Sequence, residues 1–149
     1  MIEELAARLT AVETELALRR LAQQYCIAAD HRDLELWQRV WTADAVWETS
    51  PDRVFTGIAE ITEAVRGQWD AFPVMQHGTV NHTVDLEAGT GRCDVIVHVQ
   101  LADGRWITGG GTYLDEYRSD GTAWRIARRA VRRPFDLGPL PAWDQTAQD

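Results

Sequence analysis

The chain has 149 residues, 45% of them hydrophobic and 26% charged, with a formal charge of −8. That size and composition are ordinary for one globular domain with a single core, and the acidic balance argues against nucleic-acid binding, which needs a basic surface. The first residues are acidic (Glu3, Glu4) and no apolar run approaches membrane-spanning length; no signal peptide and no membrane partner are expected, and the cytoplasm is the expected location.

From position 2 to about 31, apolar residues fall at Ile2, Leu5, Leu9, Val12, Leu16, Ala17, Leu21, Tyr25 and Ala28, with no Gly or Pro between them. That spacing predicts one long helix. A short helix is predicted from 34 to about 41, with Asp33 as its N-cap. Ala45-Val46-Trp47-Glu48 reads as a strand and Pro51-Asp52 as a turn. Arg53 to Gly57 leads into a third helix, from about 58 to 69 or 72, which Pro73 ends.

Beyond Pro73 the period changes to two. Strands are predicted at 75–86, 93–101, 105–117 and 123–133, joined by Gly-containing turns into an antiparallel meander. Gly109-Gly110-Gly111 lies inside the third of these and marks a bulge or bend. No helix N-terminus and no lysine follow it, so it is not a phosphate loop. Residues 1–133 thus read as a single domain, and residues 134–149 as a Pro-rich tail that caps the mouth or lies on a neighbouring subunit. The fold class is α+β, a curved antiparallel sheet wrapped around the long first helix as a cone with one open end.

The basic cluster Arg125, Arg128, Arg129, Arg132 and Arg133 suits a strand with both faces occupied. Cys26 falls in a helix and Cys93 at a strand start, so two reduced thiols are expected. Neither has a metal-ligand neighbour at zinc spacing, and no metal is assigned.

Chemistry points to Asp30 and His77. Asp30 stands in the last turn of a helix, where the dipole disfavours an anion, and partnering an imidazole gives it a reason to be there. A carboxylate that meets a histidine fixes its tautomer and raises its basicity, which makes a general acid/base pair. The bland alternatives are a solvated helix end and a satisfied rim histidine. His77, Thr79, Asn81, Thr83 and Asp85 share one strand face, which makes Asn81 a candidate pocket donor. His98, between Val97 and Val99, reads as a second pocket imidazole or as an intersubunit residue. Tyr25 is either a packed tyrosine or a hydroxyl that helps a leaving group depart. The tryptophans read mostly as core, with Trp47 and Trp106, on strands, the candidates for cavity walls.

Further marks run along the chain: Tyr25-x4-Asp30-x2-Asp33, Trp37 and Trp41, Asp44-Ala45, Phe55-x-Gly57, His77 with Asn81, and Asp120-Gly121-x2-Trp124-Arg125-Ile126-x2-Arg129. In order and spacing they resemble the SnoaL-like branch of the nuclear transport factor 2-like superfamily over residues 2–133. Within it they resemble the group of scytalone dehydratase, the bile-acid 7α-dehydratases and hexachlorocyclohexane dehydrochlorinase, which are cofactor-free lyases. The resemblance implies His77 as general base, Asp30 as its support, and Tyr25 and Arg129 at the places of further catalytic residues. It implies no cofactor, a small hydrophobic or polycyclic substrate, and a homo-oligomer, trimeric in the dehydratase relatives. Scytalone dehydratase carries a Tyr directly before its Asp where this chain has Ala29, so scytalone is a poor substrate guess. Elimination is the expected reaction. An isomerase or cyclase working through the same enolate-like species, an epoxide hydrolase, a dioxygenase small subunit and a non-catalytic ligand-binding module stay open.

Overall fold

A 30-residue helix, α1 (Ile2–His31), opens the chain in the computed structural model, which describes residues 1–139. Only its second half packs into the domain, burying Leu18, Leu21, Ala22, Tyr25, Cys26, Ala28 and Ala29. Arg32 ends it in the left-handed region at φ 55° and returns its backbone N–H to the Ala28 carbonyl. α2 (Leu34–Arg39) follows at once, its Leu36 N–H capped by the Asp33 carboxylate at 2.9 Å.

β1 (Trp41–Ser50) and β2 (Arg53–Thr56) form a hairpin that leads into α3 (Gly57–Ala71). Near the end of α3, the Trp69 indole donates to the Ala29 carbonyl at 2.8 Å, and Arg32 Nη2 donates to the Trp69 carbonyl, also at 2.8 Å. These bonds lock the end of α3 to the end of α1, where Asp30 sits. Four long strands complete the chain: β3 (Val74–Asp85), β4 (Thr90–Gln100), β5 (Trp106–Ser119) and β6 (Trp124–Pro139).

The strands make one curved, unclosed sheet of six in the order β2-β1-β6-β5-β4-β3. Every neighbouring pair is antiparallel except β1 and β6, which run parallel with Trp47 opposite Arg129. The sheet is thus larger than the four-strand meander read from the sequence, because β1 docks on β6 and carries β2 with it. The last strand is also longer than expected. It continues past Arg133, with Phe135 opposite Gly110 and Pro139 opposite Ile107, through two register shifts. Gly110 makes room for this. A side chain there would collide with the Val95 carbonyl and sit 2.6 Å from the Phe135 ring. The part of the expected tail beyond Pro139 lies outside the described residues.

The core sits on the concave side. Tyr25, Trp37, Trp41 and Trp47 are all at most 3% exposed, and their rings meet at centroid distances of 4.9 to 6.2 Å. Both cysteines are free and buried. No helix among the described residues is long and apolar enough to cross a membrane.

Candidate active site

Asp30 and His77 meet where the last turn of α1 crosses β3. Asp30 Oδ1 lies 2.5 Å from His77 Nδ1, and Oδ2 accepts the His77 backbone N–H at 2.8 Å. The Gln76 amide reaches the same Oδ2 at 3.4 Å. Both side chains are nearly closed to solvent, Asp30 5% and His77 9% exposed. A carboxylate offers only acceptors, so Nδ1 carries the proton and the lone pair of the neutral ring is on Nε2. Nε2 has no hydrogen-bond partner among the described residues.

His77 pairs with Val97 and Val97 with Gly109, so the three project to the same side of the sheet. There they line a cavity of about 300 Å³ whose walls include Phe72, Met75, Val99, Ile107 and Phe135. An apolar cleft with one imidazole in its wall suits a small hydrophobic ligand with a single reacting position.

Behind His77 the interior is packed and charged. The Tyr25 ring meets the His77 ring edge-on at 6.2 Å, and the Arg129 guanidinium carbon lies over it, 4.3 Å from its centroid. Arg129 also lies 4.2 Å from the Tyr113 ring, so it sits in the corner between two tyrosine rings whose planes stand 74° apart. It is wholly buried and forks onto Asp115, from Nε at 2.8 Å and Nη2 at 2.7 Å, while the Tyr117 hydroxyl donates to the same carboxylate at 3.1 Å. Burial opposes the charge on Arg129, but the Asp115 carboxylate and its hydrogen bonds outweigh it and hold the guanidinium above its usual range. Burial pushes the Tyr25 phenol well above its usual range, with Arg129 opposing. It also pushes the Cys26 thiol up to about 11. Arg129 Nη1 and the indole nitrogens of Trp37, Trp41 and Trp47 are buried without a hydrogen-bond partner among the described residues.

The four remaining candidates stand elsewhere. Trp47, expected as a cavity wall, is 2% exposed in the aromatic core, because β1 turns it inward against Trp37 and Trp41. Asn81, expected as a pocket donor, takes φ 57° at a register shift and gives its amide to Asp94 at 2.9 Å. His98 pairs with Gln76 and Thr108, one residue out of step with His77, and so stands on the opposite face, 2.8 Å from the Thr108 hydroxyl. Trp106 begins β5 and is 40% exposed, outside the His77 cavity. Asp115 escaped the sequence reading altogether. Its signal is an acid between Tyr113 and Tyr117 on one strand face, flanked two residues away on each side by an aromatic.

The family model described as a SnoaL-like domain matches residues 10–130. No curated protein sequence matches the chain. Among solved structures, a hexachlorocyclohexane dehydrochlorinase (LinA) Type2 superposes with a TM-score of 0.80 at 18% identity, over 91% of this chain and 94% of that one. A candidate scytalone dehydratase from Novosphingobium aromaticivorans DSM 12444 does so with 0.79 at 19% identity, over 91% and 93%. A candidate aromatic ring hydroxylase from Novosphingobium aromaticivorans reaches 0.75 at 29% identity, over 87% and 93%. The first two likenesses are likenesses of fold.

Proposed function

The chain belongs to the SnoaL-like domain family, and from that premise we propose that it is a cytoplasmic, cofactor-independent lyase that eliminates water or a comparable leaving group from a small hydrophobic or polycyclic substrate. The observation that carries this reading is the double hold of Asp30 on His77, on the ring and on the backbone, beside an apolar cavity. A histidine fixed in that way has one free nitrogen, on a residue that lines the cavity.

In the proposed reaction His77 Nε2 takes a proton from carbon, the C–H electrons form the double bond, and the leaving group departs with its electron pair. Asp30 stabilises the imidazolium that results. A departing hydroxide then receives that proton and leaves as water. Tyr25, its phenol kept protonated by burial, is suited to donate a hydrogen bond and unsuited to act as a base. Arg129 acts as a positioning residue, holding Tyr25 from behind. General-base catalysis of this kind contributes roughly 10²- to 10⁴-fold, so positioning of the substrate in the cavity supplies the rest.

Neighbours named for dehydrochlorination and scytalone dehydration support an elimination. The convex face exposes Val80, Ile96 and Leu114, which supports a homo-oligomer assembled through the sheet. The 29% identical candidate aromatic ring hydroxylase favours a second reading, a part in aromatic ring hydroxylation.

Turnover of a substrate library, followed by mass spectrometry, tests the proposal. Loss of one water or one hydrogen halide, abolished in His77→Ala and strongly reduced in Asp30→Asn, is the expected result. Binding without conversion, equal in wild type and variants, overturns it; turnover with unchanged mass assigns the dyad to isomerisation instead.

A further inference from the structure

Among the described residues, the first half of α1 has no partner in its own domain. Residues 1–13 are all exposed, and Ile2, Leu5, Leu9, Val12 and Leu16 keep 54% to 85% of their surface open to solvent. These five residues are spaced alternately by three and four, the period of a coiled-coil seam. The stripe does not continue the side that the domain covers. Leu9 and Leu18 are nine residues apart, about two and a half turns, so they point in opposite directions. With Ile2, Leu9 and Leu16 at a and Leu5 and Val12 at d, the buried Leu18 and Leu21 fall at c and f, on the outer side of the helix.

The flanking charges are complementary. Positions g and e hold Arg8 and Glu13, then Glu15 and Arg20. In a parallel pair each g residue faces the e residue five positions on in the other helix, so Arg8 would meet Glu13 and Glu15 would meet Arg20. Both contacts join opposite signs. Arg19, at the next d position, bonds Glu15 along the helix at 2.6 Å and ends the apolar seam.

We propose that this stripe is a homodimerisation surface, on which a second copy of the chain lays its α1 in parallel as a short coiled coil. The seam spans only about two heptads, too little for an isolated peptide. Here the second half of α1 is already fixed in the domain, which supplies the helical nucleus. Because the domain packs on the side of α1 away from the seam, two copies stand outside the helix pair and do not collide across it. The interface is separate from the convex sheet face and from the His77 cavity.

Cysteine cross-linking tests it, using the exposed positions Val12, in the seam, and Thr10, outside it. Under mild oxidation Val12→Cys is expected to run mostly as a covalently linked dimer on a non-reducing gel, and Thr10→Cys as single chains. Leu5→Lys with Leu9→Lys, both at exposed positions, should abolish the Val12→Cys link with an unchanged melting temperature. Equal linking at 10 and 12, linking at neither, or linking that survives the two lysines overturns the proposal. So does preferential linking between Leu9→Cys and Val12→Cys chains, which would mean antiparallel helices. Binding to anionic phospholipid vesicles that the two lysines abolish, with no cross-linking, would assign the stripe to lipid and likewise overturn it.

Discussion

Arg129 grips Asp115 through two parallel hydrogen bonds at a depth where neither side chain exceeds 1% exposure. Taking both charges out of water is costly, and the pair holds because each answers the other. Asp115→Asn removes one charge and leaves the other uncompensated, which should cost about 3 to 5 kcal/mol in urea unfolding. Replacing both together, Arg129→Met with Asp115→Leu, should recover most of that loss. If Arg129 serves the reaction by holding Tyr25, the recovered double variant will fold and still turn over slowly, and the two roles separate.

Asp30→Asn tests the dyad with the shape of the side chain kept, one carboxylate oxygen becoming an amide nitrogen. An amide has one acceptor where the carboxylate has two, so its oxygen can serve the His77 backbone N–H or the ring Nδ1–H, and its NH2 must face the other. With the backbone donor served, the ring moves its proton to Nε2 and loses the lone pair that serves as the base. Nitrogen NMR of the imidazole should report a change from the Nδ1–H to the Nε2–H tautomer, and turnover should fall by roughly 10²-fold or more. An unchanged tautomer with lost activity would contradict this account of Asp30.

Alkaline pH should unfold the protein through groups that burial keeps protonated. Burial pushes Cys26 up to about 11 and Cys93 up to about 12, from 9.0, and raises Tyr25, Tyr113 and Tyr117 as well. Folded values above unfolded ones mean that the native state holds protons the unfolded chain has released. Stability is therefore complete below about pH 9 and falls as pH rises toward 11 or 12. Urea midpoints measured across that window should decline steadily, and less steeply for Cys26→Ala with Cys93→Ala. Below it, a thiol reagent should find neither cysteine in the native protein and both in urea.

The long first helix, the third helix and the change of period at Pro73 were legible because each depends on local spacing and on one proline that cannot continue a helix. Asp30 and His77 were legible because an acid at a helix C-terminus is electrostatically out of place and invites an explanation. Their contact needed the packing of α1 on β3, which no local pattern encodes. His98 shows the limit most clearly. One strand's alternation says which residues share a face but not which face is inner, and only the pairing of His77 with Val97 puts His98 outside. Asn81 escaped for a different reason, since one residue at positive φ redirects a side chain that strict alternation would have placed. Trp47 looks like a wall because strand tryptophans often are, yet four aromatic neighbours within 6.2 Å enclose it.

The parallel pairing of β1 with β6 has a consequence for how the chain acquires its form. Trp47 and Arg129 are neighbours across that seam although almost the whole sheet lies between them in sequence. Closing so large a loop is slow compared with forming helices or hairpins, and it has to wait until β6 has been synthesised. Until then the hairpin of β1 and β2 has no central strand to dock on, and Trp37, Trp41 and Trp47 stand without their cover. A chain still growing on the ribosome thus carries an open tryptophan cluster prone to wrong association, and arrival of the final strand is the step that rescues it.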